Sequence, residues 1–213
     1  MNVASSNIDR RRTRAGLLLI AGGLGLASYY GYDSFVMGRL INTGYPDKTG
    51  FDYASFAFPL FLAGGLAAWP RPRRSAEGER AAADGAGGRN AVRIAAAALI
   101  VVAAAMFFAE WIYHASIPVF VLLFYPGSLA ASAALLTLLR LPAPAVQRAC
   151  LGAAALLTAL FPIAPQLIVS SHGLYAATDA KGLLGVGLGL AWTAFGIGVL
   201  RFPRKERRRT SRG

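Results

Sequence analysis

The chain has 213 residues, of which 55% are hydrophobic and 15% are charged, and its mean hydropathy is +0.48. Soluble globular domains carry about 25% charged residues, so this composition argues against an ordinary soluble domain. The net charge of +12 comes from basic clusters between apolar runs. No aromatic-and-basic surface module accompanies these clusters, so we expect no nucleic-acid binding.

The N-terminal part of the chain contains two apolar runs among polar segments. Residues 1–15 are basic and are predicted to form a cytoplasmic N-terminus. Residues 16–69 are predicted to hold the first two transmembrane helices, with an outer loop at residues 33–52 where turn-forming Gly and Pro residues cluster. Residues 70–93 are rich in Arg, Ala, Gly and Glu, which predicts a flexible cytoplasmic linker.

The first apolar run also resembles a signal peptide. Its basic start and apolar centre fit that description, and Gly25, Leu26 and Ala27 form a passable cleavage site. The Gly-rich pattern continues through this site as in a packed helix. We therefore favour a first helix that stays in the protein over one that is cleaved.

The C-terminal part of the chain is predicted to hold four more transmembrane helices at residues 94–200, followed by a basic cytoplasmic tail at residues 201–213. Each run approaches the 20 or so apolar residues that cross a bilayer core, and a polar loop is expected at residues 171–181. The predicted fold class is all-α: a polytopic membrane helical bundle of about six transmembrane helices.

The distribution of lysine and arginine predicts the orientation of the bundle. All but three of the 22 basic residues fall in segments that this span assignment places on one side, the exceptions being Arg39, Lys48 and Lys181. Basic residues near span ends favour the cytoplasm. Both termini are therefore predicted to be cytoplasmic (N-in/C-in), in a multi-pass protein of the bacterial cell inner membrane.

Small residues and prolines mark packing surfaces and kinks. Gly185, Gly189 and Gly196 share one face of the sixth predicted span, and such faces let helices approach closely in lipid. The same face could pack within the chain or dock a second chain. Interior prolines also predict kinks in the fourth and fifth spans.

Glu110 is the sharpest polar feature, because an acid inside a predicted span is a functional-site candidate. His114 follows it at i+4 on the same helix face, and His172 falls at the same predicted outer surface. Gln166 continues the polar positions of the fifth span. Three interpretations stay open: a hydrated interfacial carboxylate, a proton or cation site, and a haem or metal site that uses both histidines.

No catalytic signature is present in the sequence. It contains no phosphate-binding Gly-rich loop, HExxH, CxxC or Gly-x-Ser-x-Gly pattern. The single cysteine, Cys150, permits no intramolecular disulfide and is expected to be an inert small apolar residue. We therefore expect a protein that is not an enzyme, with no metal or cofactor indicated by a motif.

One stretch resembles a known family. In residues 12–74 a span, an outer loop, the Phe56–Leu60 motif Phe-Ala-Phe-Pro-Leu and a basic linker follow one another. Their order resembles the small membrane subunit of tripartite tricarboxylate transporters. That resemblance implies an accessory subunit beside a large membrane subunit and a periplasmic binding protein. Tyr53 to Ser55 stand where the family usually has Gly-Pro, and the sixth span has no counterpart in it.

The leading hypothesis is a non-catalytic subunit of a bacterial inner-membrane complex, with a transport system as its setting. Its expected partners are the lipid bilayer, other membrane subunits or a second copy, and anionic lipid headgroups at the basic tail. The first alternative is a self-sufficient small transporter or channel that uses Glu110 and the kinked fourth and fifth helices. The second alternative is a haem- or metal-binding redox subunit that uses His114 and His172.

Overall fold

The computed structural model describes residues 3–37, 54–69, 78–111, 116–140, 143–172 and 174–201. This part of the chain contains helices and no strand. The helices are α1 Val3–Gly31, α2 Ala57–Ala68, α3 Gly78–Trp111, α4 Ser116–Leu138, α5 Ala145–His172 and α6 Leu174–Arg201. A π-helical segment, Tyr32–Met37, continues α1.

Five of these helices are long and apolar enough to cross a membrane. The qualifying segments are Asp9–Val36, Gly87–Phe108, Val121–Leu138, Ala145–Ala164 and Thr178–Arg201. In lipid the backbone must satisfy its hydrogen bonds within the segment, so apolar runs of this length fold as helices. The predicted all-α membrane bundle is confirmed, and the chain is a multi-pass membrane protein.

The remaining helix, α2, is shorter than the span predicted for it. It has 12 residues, which corresponds to about 18 Å at the usual helical rise. Pro59 is tolerated near its start, because the first turn needs no N–H donors. The helix ends before Trp69, whose ψ of 126° is extended, as expected for a residue that precedes a proline.

The helices form a closed ring. Each packs against its neighbour in sequence, and α6 returns to pack against α1 in the most extensive contact between two helices of the described chain. Along this contact Gly16 lies beside Gly196, Gly23 beside Gly189 and Ser34 beside Gly182, so α1 and α6 are antiparallel.

The ends of the bundle follow from these contacts. Arg12 Nε donates a hydrogen bond to the Val199 carbonyl oxygen (2.8 Å), so the start of α1 and the end of α6 lie together. This placement agrees with the predicted location of both termini on one side. The opposite end, which carries the π-helical segment and the start of α6, is called the π end below.

The core lies along the axis of the ring. Trp192 and Phe195 of α6 are each 1% exposed, and their ring centroids are 6.1 Å apart. Trp69 reaches across from the end of α2 to within 5.3 Å of the Phe195 ring. Between α4 and α5, the buried Ser132 hydroxyl donates to the Ala155 carbonyl oxygen at 2.7 Å.

Two predicted boundaries are wrong. The linker expected at residues 70–93 is helical from Gly78 onward, because its alanines favour helix despite the charges among them. The loop expected at residues 171–181 is reduced, because α5 continues to His172 and α6 begins at Leu174. Most of the predicted 33–52 loop and of the basic tail lies outside the described residues.

Candidate functional site

The three glycines predicted to pack lie on the face of α6 that meets α1. A Cβ atom at Gly189 would collide with the backbone of Gly23 and Ala27, and one at Gly196 would come within 3.0 Å of the Gly16 carbonyl oxygen. The third, Gly185, lies against the Tyr30 ring. We call this contact the α1–α6 seam. Its glycine face is occupied within the chain itself.

An ion pair joins the two helices at the π end of the seam. Lys181 Nζ of α6 lies 2.8 Å from Asp33 Oδ2 of the π-helical segment, with the lysine side chain 40% and the aspartate 28% exposed. A single π-helical turn of this kind is common at functional sites. Both residues fall in segments that the sequence pattern predicts to be outer loops, and nothing in the pattern indicates that they pair.

Tyr30 lies directly below this ion pair. Lys181 Nζ is 5.8 Å from the centroid of its ring, a cation–π distance. The ring is 5% exposed and packs against Phe161 of α5, with centroids 4.6 Å apart. Tyr30 therefore connects the ion pair with the centre of the bundle.

Ser34 is the unusual polar group of the seam. Its side chain is 1% exposed, and its hydroxyl has no hydrogen-bond partner among the described residues. A Cβ at Gly182 would come within 2.5 Å of the Ser34 Cβ and 2.9 Å of its Oγ. A buried hydroxyl needs a hydrogen-bond partner, because leaving one without any costs about 1–3 kcal/mol.

A small central cavity lies inside the ring. Its volume is about 40 Å³, and every one of the six helices contributes at least one lining residue. Tyr30, Ser128 and Thr158 are its hydroxyl-bearing residues, and the others are apolar. The Thr158 hydroxyl donates to the Ala154 carbonyl oxygen (2.6 Å). Ligand pockets for drug-sized molecules usually span about 300–1,000 Å³, so the observed cavity is far smaller.

The predicted polar residues fall partly within the described chain. Glu110 lies in the last turn of α3, Gln166 in α5 and His172 at the end of α5, but their side chains are outside the described part. His114 lies wholly outside the described residues. The roles assigned to these four residues stay predictions.

The fold brings the helix ends that carry Glu110 and His172 to the π end. Phe56, just before α2, lies 5.2 Å from the Phe107 ring near the end of α3. A Cβ at Gly187 would contact Leu157 and one at Gly198 would contact Gln147, so α5 and α6 are antiparallel. The C-terminal ends of α3 and α5 therefore lie at the π end of the bundle, which also carries the Asp33–Lys181 pair.

Within the described residues, no group of three or more His, Cys, Asp or Glu side chains could hold a metal ion. Cys150 is a half-buried free thiol there. Comparison of the chain with protein families, curated proteins and solved structures returns no match. The fold and site therefore define a class, a multi-pass helical membrane protein, and the function has to be argued from geometry.

Proposed function

We propose that the chain is a non-catalytic subunit of a bacterial inner-membrane complex that belongs to a transport system. The observation that supports this proposal most directly is the filled core. The central cavity among the described residues, at about 40 Å³, is too small for an organic substrate. In this proposal the protein acts through its outward surfaces, which partners and lipid can reach.

Those outward surfaces are apolar. Leu122 of α4 is 70% exposed, Val146 of α5 72% and Leu183 of α6 66%. Exposed side chains of this kind suit lipid tails and the membrane-spanning faces of other subunits equally well. Because the Gly185, Gly189 and Gly196 face is covered by α1, partner contacts in this proposal use other helix faces.

The charged end of the bundle supports the proposed orientation. Arg10, Arg11 and Arg14 on α1 and Arg201 on α6 are exposed, and contacts between α1 and α6 bring them to the same end. Basic residues near a membrane surface attract anionic headgroups by about 1 kcal/mol each. We propose that this end, together with the basic tail, contacts anionic lipids on the cytoplasmic side.

Gentle purification tests the subunit proposal. The full chain would be extracted from its native membrane in a mild detergent and analysed by blue-native electrophoresis, with mass spectrometry of co-purifying proteins. We expect a band well above the monomer that contains other membrane proteins in fixed ratio. A monomer alone would contradict the proposal. An absorption spectrum of the same sample tests the haem prediction for His114 and His172.

A second candidate, a self-sufficient transporter, is favoured by one observation. Two of the three hydroxyl-bearing cavity residues, Ser128 and Thr158, lie on α4 and α5, which also carry Pro126 and Pro162. Proline leaves the carbonyl four residues earlier without its helical donor, and broken helices build many transporter sites. In this candidate Glu110 carries the coupling charge. Unchanged flux of the Glu110→Gln variant in proteoliposomes would remove that role.

A further inference from the structure

The contacts between α1 and α6 change in kind along the length of the seam. In its middle, Gly189 meets the backbone of Gly23 and Ala27 directly. At the π end the contacts are made by the side chains of Tyr30 and Ser34. Backbone contacts of this closeness cannot yield without separating the helices, whereas side chains can rotate. The middle of the seam is thus suited to act as a pivot and the π end to open.

The Asp33–Lys181 pair is a charged contact across that opening end. It joins residues 148 positions apart, and neither side chain is buried. Exposed ion pairs are individually weak, so the pair can break and re-form without unfolding the bundle. Lys181 also covers the face of Tyr30, which lines the central cavity. Breaking the pair releases both contacts of the lysine together.

Ser34 supplies an independent observation at this end of the seam. Its hydroxyl is buried between α1 and α6 without a partner among the described residues. Opening the seam would give it water as a partner, which favours the open form. The π-helical hydrogen bonds around it form a turn that is rare and is typical of functional positions.

We propose that Asp33 and Lys181 form a latch that closes the π end of the α1–α6 seam over the six-helix cavity, and that its opening admits water to Ser34. The latch goes beyond the proposed function, because it operates alike in a subunit and in a self-sufficient transporter. When it is closed, Lys181 lies over the ring of Tyr30, which lines the cavity. When it is open, α1 and α6 separate there while the Gly23–Gly189 contact holds.

Cysteine accessibility tests the latch in the full chain. The S34C variant would be made in a C150S background, reconstituted into lipid nanodiscs and treated with a small water-soluble thiol reagent. We expect slow labelling when Asp33 and Lys181 are intact. The Asp33→Asn or Lys181→Gln change should raise the labelling rate at least tenfold, and the charge-reversed pair D33K/K181D should restore the slow rate.

A matched control distinguishes local opening of the α1–α6 seam from a loss of packing throughout the bundle. Ser132 is also a buried serine, but it lies between α4 and α5. The thiol introduced by S132C should label slowly in every background. Equal S34C rates with and without the ion pair would overturn the latch. A rise at both cysteines would do the same, because it would show loss of packing across the bundle.

Discussion

Replacing Gly189 by alanine probes the closest contact of the structure. A Cβ at this position would collide with Gly23 O and Ala27 N and would lie 2.8 Å from the Ala27 Cβ. Carbon atoms pack at about 3.5–4.0 Å, so α1 and α6 must separate by about 1 Å. Overpacking of this kind costs up to about 3 kcal/mol. A gain of about 1 kcal/mol in helix propensity leaves a net loss of about 2 kcal/mol.

Gly187 provides the matched control on the same helix. A Cβ there would meet only Leu157 Cδ1, at 3.5 Å, an ordinary contact. Gly187→Ala should therefore be neutral or stabilise the protein by up to about 1 kcal/mol. The assay is thermal unfolding in detergent, followed by size-exclusion chromatography of the protein that stays folded. For a chain of this size, 2 kcal/mol corresponds to about 4–8 °C in Tm.

The comparison of the two alanine variants decides the matter. We expect Gly189→Ala to unfold several degrees below the wild type and Gly187→Ala to unfold at or above it. If Gly189→Ala unfolds at the same temperature as Gly187→Ala, α1 and α6 do not approach as closely as described. The account of the seam would then be refuted.

Three further predictions concern the core and the first helix. Trp192→Ala should lower the free energy of unfolding by about 3–5 kcal/mol. Leu190→Ala, at a side chain that is 54% exposed, should change it little. Equal losses of the two variants in thermal unfolding would contradict the burial of Trp192. Ser132→Ala should lose about 0.6 kcal/mol, as typical for hydrogen bonds between membrane helices, and a loss above 2 kcal/mol by steric trapping would contradict this. Because α1 packs on both α2 and α6, intact-mass spectrometry should find it retained, and a mass that lacks residues 1–27 would contradict its place in the core.

The membrane spans were predictable because the sequence signal is local. Long apolar runs have one stable conformation in lipid, a helix, and clustered arginines indicate which ends lie together. The sequence predicts a linker at residues 70–93, whereas α3 begins at Gly78. The difference arises because hydropathy and helix propensity point to different structures in this segment. Charged residues lower the hydropathy of residues 78–93, while alanine keeps them helical.

The site was harder to predict because it depends on how the helices are rotated and paired. Asp33 and Lys181 meet only because α1 and α6 are antiparallel and in a particular register, across 148 residues of sequence. The predicted outer segments also hold Arg39, Asp47, Lys48, Asp52 and Asp179, so the sequence offers several acid–base pairings and does not single out this one. Every helix contributes two or three residues to the cavity, so no single segment of the sequence indicates it.

Sidedness of the helix ends is the most direct test of the central claim, a bundle closed by antiparallel α1 and α6. Asp9 at the start of α1, Ala145 at the start of α5 and Asp179 at the start of α6 are all exposed. Each would be replaced by cysteine in a C150S background and treated in intact spheroplasts with a membrane-impermeant maleimide. We predict immediate labelling of D179C, and labelling of D9C and A145C only after permeabilisation. Labelling of D9C and D179C from the same side would contradict the antiparallel bundle.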